Sequence, residues 1–376
     1  MIKRYENKRI TQIWSDDHKY ELWNKITTLY IKYQAKLETC ERSLAPHLSI
    51  KKIKEHEKTT KHEVVAFLKA YSEMFQNTEC SKLIHYGLTS SDLIDTADSL
   101  RIRDSLIYLE GMLNQLVESL NNLAMENLSV YAAGRTHGKH AEKINWTLRL
   151  HHLVYELSEI KLHINIAKRA CYGKLAGPVG NSAHVNLEAT TRTLKHLNLT
   201  KAPFTTQVIP RIHNVQIFYI GALLGAAYER FCTMIRLSCI DEINEIQEGF
   251  AQGQAGSSAM PHKNNPILSE NITGLSRMLK AQMGPALENV NLWWERDISH
   301  SSVERVMLPQ LFHLTTKATS NMIKLINNIK INKEAIENNL SNAEISSHEK
   351  LLEETQVTNS RFEAYAKVQS QTMRNF

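Results

Sequence analysis

Apolar residues recur at alternating spacings of three and four along most of this 376-residue chain. That is the period of a helix that buries one face. Leu106, Leu109, Leu113, Leu116, Leu120 and Leu123 predict one long amphipathic helix over 94–130. Leu150, Leu153, Leu157, Ile160, Ile164 and Ala167 predict a second over 142–170. Ile220, Leu223, Ala227, Phe231 and Met234 mark a third between His213 and Glu248, and a fourth runs from Pro266 to Met283. Leu311, Leu314, Ala318, Met322 and Leu325 mark a fifth from Glu304 to Ile329, with Pro309 either in its first turns or kinking it. Strand-like alternation is scarce. The pattern predicts an all-α chain with a central bundle of about five long helices over 94–340. Apolar seams this broad are also suited to pairing one bundle with others.

Shorter helices are expected in a separate region, 1–93. Asp16 and Asp17 are placed to cap a helix through Tyr20, Leu22, Trp23, Ile26 and Tyr30, and a second covers His62 to Phe75. Gly87 marks a turn, and Thr89, Ser90, Ser91 and Asp92 offer caps for the long helix that follows. From 341 to 376 the pattern weakens to a polar stretch and a short helical tail.

Composition narrows the class. Hydrophobic residues make up 42%, which suits a globular protein. No apolar run is long enough to span a membrane, and the N-terminus lacks the apolar core of a signal peptide, so a cytoplasmic location is expected. The net charge of +6 comes from dispersed residues without a nucleic-acid reader motif, so no nucleic-acid partner is expected. Cys40, Cys80, Cys171, Cys232 and Cys239 are scattered, with no CxxC spacing, and read as reduced thiols. The histidines form no metal-binding helical pair, so no metal site is expected.

The candidate chemistry lies in polar segments that interrupt or end the helical tracts. The densest is GFAQGQAGSSAMPHKNNPILSENITG, from Gly249 to Gly274. Gly249, Gly253, Gly256 and Pro261 make it a mobile loop, and Asn265 as N-cap with Pro266 at the first helical position starts a helix. Hydroxyls and Lys263 then precede free N–H groups that favour bound anions. A flexible surface loop is the competing reading. In GRTHGKHAE (134–142) two glycines hold His137 in a tight turn, as a general acid or as an exposed loop histidine. In WWERDISHSSVER (293–305) Arg296, Ser301 and Arg305 suit a phosphate or carboxylate. The alternative there is a salt-bridged helix start using Glu295, Asp297 and Glu304. TKHE (60–63), HYGLTSSD (85–92) and TTQ (205–207) complete the set. In a bundle, helix ends of one level gather at one pole, so such segments can converge.

GSSAMPHKNNP resembles the signature loop of the fumarase/aspartase superfamily, whose members eliminate fumarate from a succinyl-bearing substrate. RYEN near the start, TKHEVVAF, HYGLTSSD, GRTHGKHAE and WWERDISHSSVER narrow the resemblance to the adenylosuccinate lyase family, in family order over nearly the whole chain. The resemblance implies a homotetramer whose active sites draw on three subunits, and a reaction without metal or organic cofactor. It implies Ser257 as the general base at the succinyl β-carbon and His137 as the general acid at the leaving nitrogen. Arg4, Tyr5, Arg296, Ser301 and Arg305 are implied to hold the phosphate and neighbouring groups. Thr89, Ser90, Thr136, Gln207, Ser258, Lys263 and Asn265 are implied to hold the carboxylates. His62 and Glu63 are implied to lie beside the base, while Glu270, orienting His137, and His85 play supporting parts. The implied substrates are adenylosuccinate and succinyl-aminoimidazole-carboxamide ribotide. The competing functions are a superfamily lyase for another succinyl compound, such as argininosuccinate, and an inactive helical scaffold. Four features depart from the family pattern: Glu63 in place of Asp, VIPRIHN after Gln207, Lys143 in place of proline, and an end at Phe376 several dozen residues early. The last makes a partial C-terminal helical domain the expectation.

Overall fold

In a computed structural model of the chain, which describes residues 1–35, 48–75, 79–250, 253 and 256–372, the predicted seams are the buried faces of long helices. A one-turn 3-10 segment, Lys3–Tyr5, opens the chain. Helices α1 (Lys8–Ile13), α2 (Asp16–Ala35), α3 (Ile50–Thr60) and α4 (Glu63–Ser72) precede the first long helix, α5 (Ser90–Glu126). A hairpin of β1 (Tyr131–Thr136) and β2 (Lys139–Asn145) leads into α6 (Leu148–Arg169), β3 (Tyr172–Gly173) and α7 (Leu187–His196). Then come β4 (Thr200–Lys201), α8 (Ile212–Ser238), β5 (Ile246–Gln247), α9 (Ile267–Ala281) and α10 (Met283–Glu288). The long helix α11 (Ser299–Asn328), β6 (Lys330–Ile331), α12 (Lys333–Ser341), α13 (Ser347–Thr358) and α14 (Arg361–Thr372) follow.

The all-α class and the five long helices agree with the periodicity. Every seam leucine of α5 is buried, as are the seam residues of α6 and α11. In α8 the buried face runs through Leu224, Phe231, Cys232 and Ile235, while Leu223 and Met234 are half-buried at its edge. Boundaries moved for local reasons. Helix α8 ends at Ser238, because Asn244 takes a left-handed φ of 46° and the Glu245 N–H returns to the Ser238 carbonyl. Asp16 and Asp17 lie in the first turn of α2 instead of capping it, beside the positive end of the helix dipole. Helix α11 begins five residues earlier than expected, so Pro309 sits inside it. The predicted start of the second long helix is instead a hairpin, since two consecutive left-handed residues turn the chain at His137 and Gly138.

The chain divides into two compact units. The first comprises Met1–Asn114, Ser158–Ala226 and Gly274–Ser320. Its N-terminal part is held by an aromatic series in which Trp23 meets Tyr20 and Phe67 edge-on, each at 5.5 Å, and Phe67 meets Tyr71 at 5.7 Å. The second comprises Gln115–Leu157, Ala227–Thr273 and Asn321–Phe376. There Glu245, fully buried, accepts hydrogen bonds from Arg135 of β1 and Arg149 of α6 at 2.9 and 3.2 Å and so ties the hairpin to that helix. Helices α13 and α14 pack through Leu351, Ala364 and Val368.

Among the described residues no helix is long and apolar enough to cross a membrane. Cys171 and Cys232 are buried free thiols and Cys239 is free and half-buried. Cys80 departs from the expectation of reduced thiols, being disulfide-bonded. Disulfide pairing depends on Cβ approach in the fold, which spacing along the chain does not reveal. Cys40 and Phe376 lie outside the described residues.

Candidate active site

Helix α11 organises the site of the first unit. Asp297 accepts the N–H of Ser299 through Oδ1 and that of Trp293 through Oδ2, both at 2.8 Å, and so fixes the start of the helix. Those bonds, with one from the Ser299 hydroxyl, hold its carboxyl down at about 2. The four-residue period then sets His300 and Glu304 on one stripe and Ser301 and Arg305 on the next. Both stripes border a cavity of about 270 Å³ whose lining also includes Lys19, Glu63, Asp95, Arg211 and Arg296.

Charge in this cavity is unevenly satisfied. Arg211 makes a two-pronged pair with buried Asp95 at 2.9 and 3.0 Å and a further pair with Glu304 at 3.0 Å. Glu63 accepts from Lys19 Nζ at 2.5 Å, from the Tyr20 hydroxyl at 3.0 Å and from Arg305 at 3.4 Å. Arg296 differs. It donates to neutral acceptors, Gln207 Oε1 at 2.8 Å and His300 Nε2 at 3.3 Å, and has no carboxylate partner among the described residues. Burial pushes its pKa down from the ordinary value. The Ser301 hydroxyl and largely exposed Arg305 line the same cavity, and groups of this kind have the chemistry to hold an oxyanion. The salt-bridged alternative for this segment holds in part: Glu304 pairs with Arg211, Arg305 with Glu63, and Asp297 caps the helix.

Other expected residues of this unit are not among those that line the cavity. His62 caps α4, its Nδ1 accepting the Val65 N–H at 3.4 Å, and its side chain is exposed. Arg4 and Tyr5 lie in the exposed first turn. Gln207 is tied to the Pro178 carbonyl at 2.9 Å and reaches the site only through Arg296. Thr89 precedes α5, which Ser90 opens, and the Thr89 N–H donates to Asp92 Oδ2 at 2.7 Å, one half of a capping box. Asp92 is fully buried and further accepts from Lys174 Nζ, Ala176 N and Gly177 N. His85, at φ 56°, keeps its Nδ1 buried and unpartnered. Burial lowers its pKa, and the neighbouring His62 adds to that.

The second unit carries the remaining candidates. His137 and Gly138, at φ 53° and 76°, form the hairpin turn, with His137 and Thr136 exposed at its tip. Ser257 Oγ accepts two loop N–H groups, from Ala259 at 3.3 Å and Met260 at 3.1 Å. Ser258, Lys263 and Glu270 are exposed. Among the described residues no hydrogen bond joins His137 to Ser257 or to Glu270. Lys263 and Asn265 line a cavity of about 720 Å³ together with His262, Arg236 and Gln247.

The start of α9 corrects the expectation of an anion site there. Asn265 is not the cap: the helix begins at Ile267, and the Asn265 amide donates to the Gly256 carbonyl at 3.1 Å. The first free N–H groups, of Leu268 and Ser269, donate to the buried Glu248 carboxylate at 2.9 and 2.8 Å, and the Ser269 hydroxyl donates to it as well. An internal carboxylate thus already occupies the place proposed for a substrate's. Sequence reading also passed over Lys19, Asp95 and His300. The one signal was phase, because Asp92, Asp95 and Asp98 recur every three residues on α5, and two of them fall where a seam should be apolar.

Known proteins resemble this chain in sequence and in fold. The sequence model of a lyase family matches residues 24–279. The chain is 36% identical over 350 residues to the adenylosuccinate lyase of Aquifex aeolicus, covering 90% of this chain and 80% of that protein. It is 37% identical to that of Helicobacter pylori, covering 100% and 87%, and 35% identical to that of Thermotoga maritima, covering 100% and 89%. A fumarate lyase from Mesorhizobium superposes with a TM-score of 0.83 at 17% identity, over 97% of this chain and 85% of that one. A 3-carboxy-cis,cis-muconate lactonizing enzyme from Pseudomonas putida superposes at 0.84 and 18%, with the same coverage. At those identities the structures speak to the fold alone. The chain is a lyase and belongs to the adenylosuccinate lyase family of the fumarase/aspartase superfamily.

Proposed function

We propose that this lyase eliminates fumarate from adenylosuccinate, leaving AMP, and from succinyl-aminoimidazole-carboxamide ribotide, leaving the free carboxamide. The observation that carries the reading is Arg296, a half-buried guanidinium that has no carboxylate partner among the described residues and lines a cavity beside Ser301 and Arg305. A phosphate is the ligand such a set suits, and it separates these substrates from argininosuccinate.

In this reading Ser257 removes a proton from the succinyl β-carbon. The electron pair forms the new double bond as the carbon–nitrogen bond breaks, and His137 donates a proton to the departing nitrogen. Two N–H groups already directed at Ser257 Oγ favour its deprotonated form. Thr89, Ser90, Thr136, Gln207, Ser258, Lys263 and Asn265 hold the carboxylates, and Arg4 and Tyr5 assist at the phosphate. His62 and Glu63 face the base, with His85 and Glu270 in support. The enzyme works as a homotetramer in the cytoplasm, with each site assembled from three copies.

The test is fumarate absorbance on addition of each substrate. Ser257→Ala should lower turnover roughly 10²- to 10⁴-fold, the usual contribution of general base catalysis. Wild-type protein that releases fumarate from argininosuccinate and not from adenylosuccinate would overturn the assignment.

A further inference from the structure

We infer that His300 is a positioning residue that aims Arg296 at the phosphate, and so sets the preference for phosphorylated ligands; this rests on the function proposed above. The residue is buried, 3% exposed, yet both ring nitrogens are engaged. Nδ1 lies 2.9 Å from Glu304 Oε2 and Nε2 lies 3.3 Å from Arg296 Nε. A carboxylate only accepts and a guanidinium only donates, so the neutral ring carries its proton on Nδ1 and presents a lone pair to Arg296. Arg211 Nε and Nη2 lie 3.4 and 3.3 Å from the same Nδ1, but those N–H groups meet Glu304 and Asp95 at the shorter distances of 3.0 and 2.9 Å.

Each member is held by the one behind it. Asp95 grips Arg211, Arg211 grips Glu304 at 3.0 Å, and Asn214 adds a second bond to Glu304 at 2.7 Å. Glu304 fixes the ring of His300, and the ring fixes Arg296, whose other end Gln207 holds. The relay runs from the buried face of α5 to the one cavity cation among these groups without an anionic partner. Glu304 and His300 share one stripe of α11, and Arg296 lies three residues before the helix begins. A guanidinium held by neutral acceptors at two points keeps its charge for a ligand and loses little freedom on binding.

Asparagine and glutamine separate this role from a merely structural one. His300→Asn retains a donor where Nδ1 meets Glu304 but does not reach Arg296. His300→Gln carries an amide oxygen out to the place of Nε2. Titration calorimetry with AMP and with adenosine reads the preference for the phosphate without needing turnover. His300→Gln should keep the wild-type preference for AMP, and His300→Asn should lose roughly tenfold or more of it, the value of a hydrogen bond to a charged group. The inference is overturned if His300→Asn keeps the preference, if both variants lose it equally, or if the wild type binds AMP no tighter than adenosine. If the wild type prefers AMP and His300→Asn abolishes that preference while adenylosuccinate and succinyl-aminoimidazole-carboxamide ribotide release no fumarate, the relay stands and the proposed reaction falls.

Discussion

Glu63 shows how much chemistry one carboxylate concentrates. Burial by itself would raise its pKa, but Lys19, Tyr20 and Arg305 outweigh that and hold it below the ordinary 4.5. A lowered folded-state pKa means that its stabilisation is fully present above about pH 4.5 and is lost as pH falls through the folded value. Urea midpoints for wild type and Glu63→Gln should therefore differ at neutral pH, by about 1–3 kcal/mol, and converge in acid. A gap that widens on acidification would overturn this account. His62, its neighbour, was visible in the sequence as a polar histidine, but its role as the cap of α4 was not, since capping depends on backbone angles that residue identity only biases.

At the scale of elements, Glu248 clasps both ends of the signature loop. It immediately precedes Gly249, and it holds the first turn of α9 beyond the loop. Gly249 itself approaches the end of α11 so closely that an added Cβ would lie 2.2 Å from the Asn328 carbonyl. These contacts bound any lid motion to the residues between them. Gly253, by contrast, sits at φ 79° with open space around it. Proline there, with φ near −65°, would distort this conformation instead of stiffening it. Glu248→Ala leaves two backbone N–H groups without their acceptor, at about 1–3 kcal/mol each when buried, and should lower the melting temperature by several degrees in calorimetry. Glu248→Gln, keeping one acceptor oxygen, should fall between. Unchanged melting in the alanine variant would mean that the clasp contributes nothing.

For the whole molecule, the exposed apolar residues of α6 bear on assembly. Tyr155, Leu162 and Ile166 are 63, 56 and 52% exposed and recur at helical spacing. Such a stripe is a candidate contact between copies in the proposed homotetramer. Light scattering should give a mass four times that of the 43.0 kDa chain. Leu162→Arg combined with Ile166→Arg should reduce that mass and abolish fumarate release together, because each site is proposed to need three copies. Full turnover by a single-chain species would defeat the shared-site reading.

Periodicity alone determined the five long helices and most of the apolar residues they bury, Leu223 and Met234 of α8 excepted, because a helix's apolar face is a local property written every three or four residues. The order of the polar segments likewise determined the family. Tertiary structure alone decided which of those segments meet. Glu63 and Arg305 stand 242 positions apart, and Gln207 and Arg296 stand 89 apart. No local pattern encodes such pairs. It also decided that the N–H groups opening α9 belong to Glu248, and that Arg296 is steadied by Gln207 and His300. Charge pairing over such separations follows from packing, and packing is settled only when the whole chain has folded.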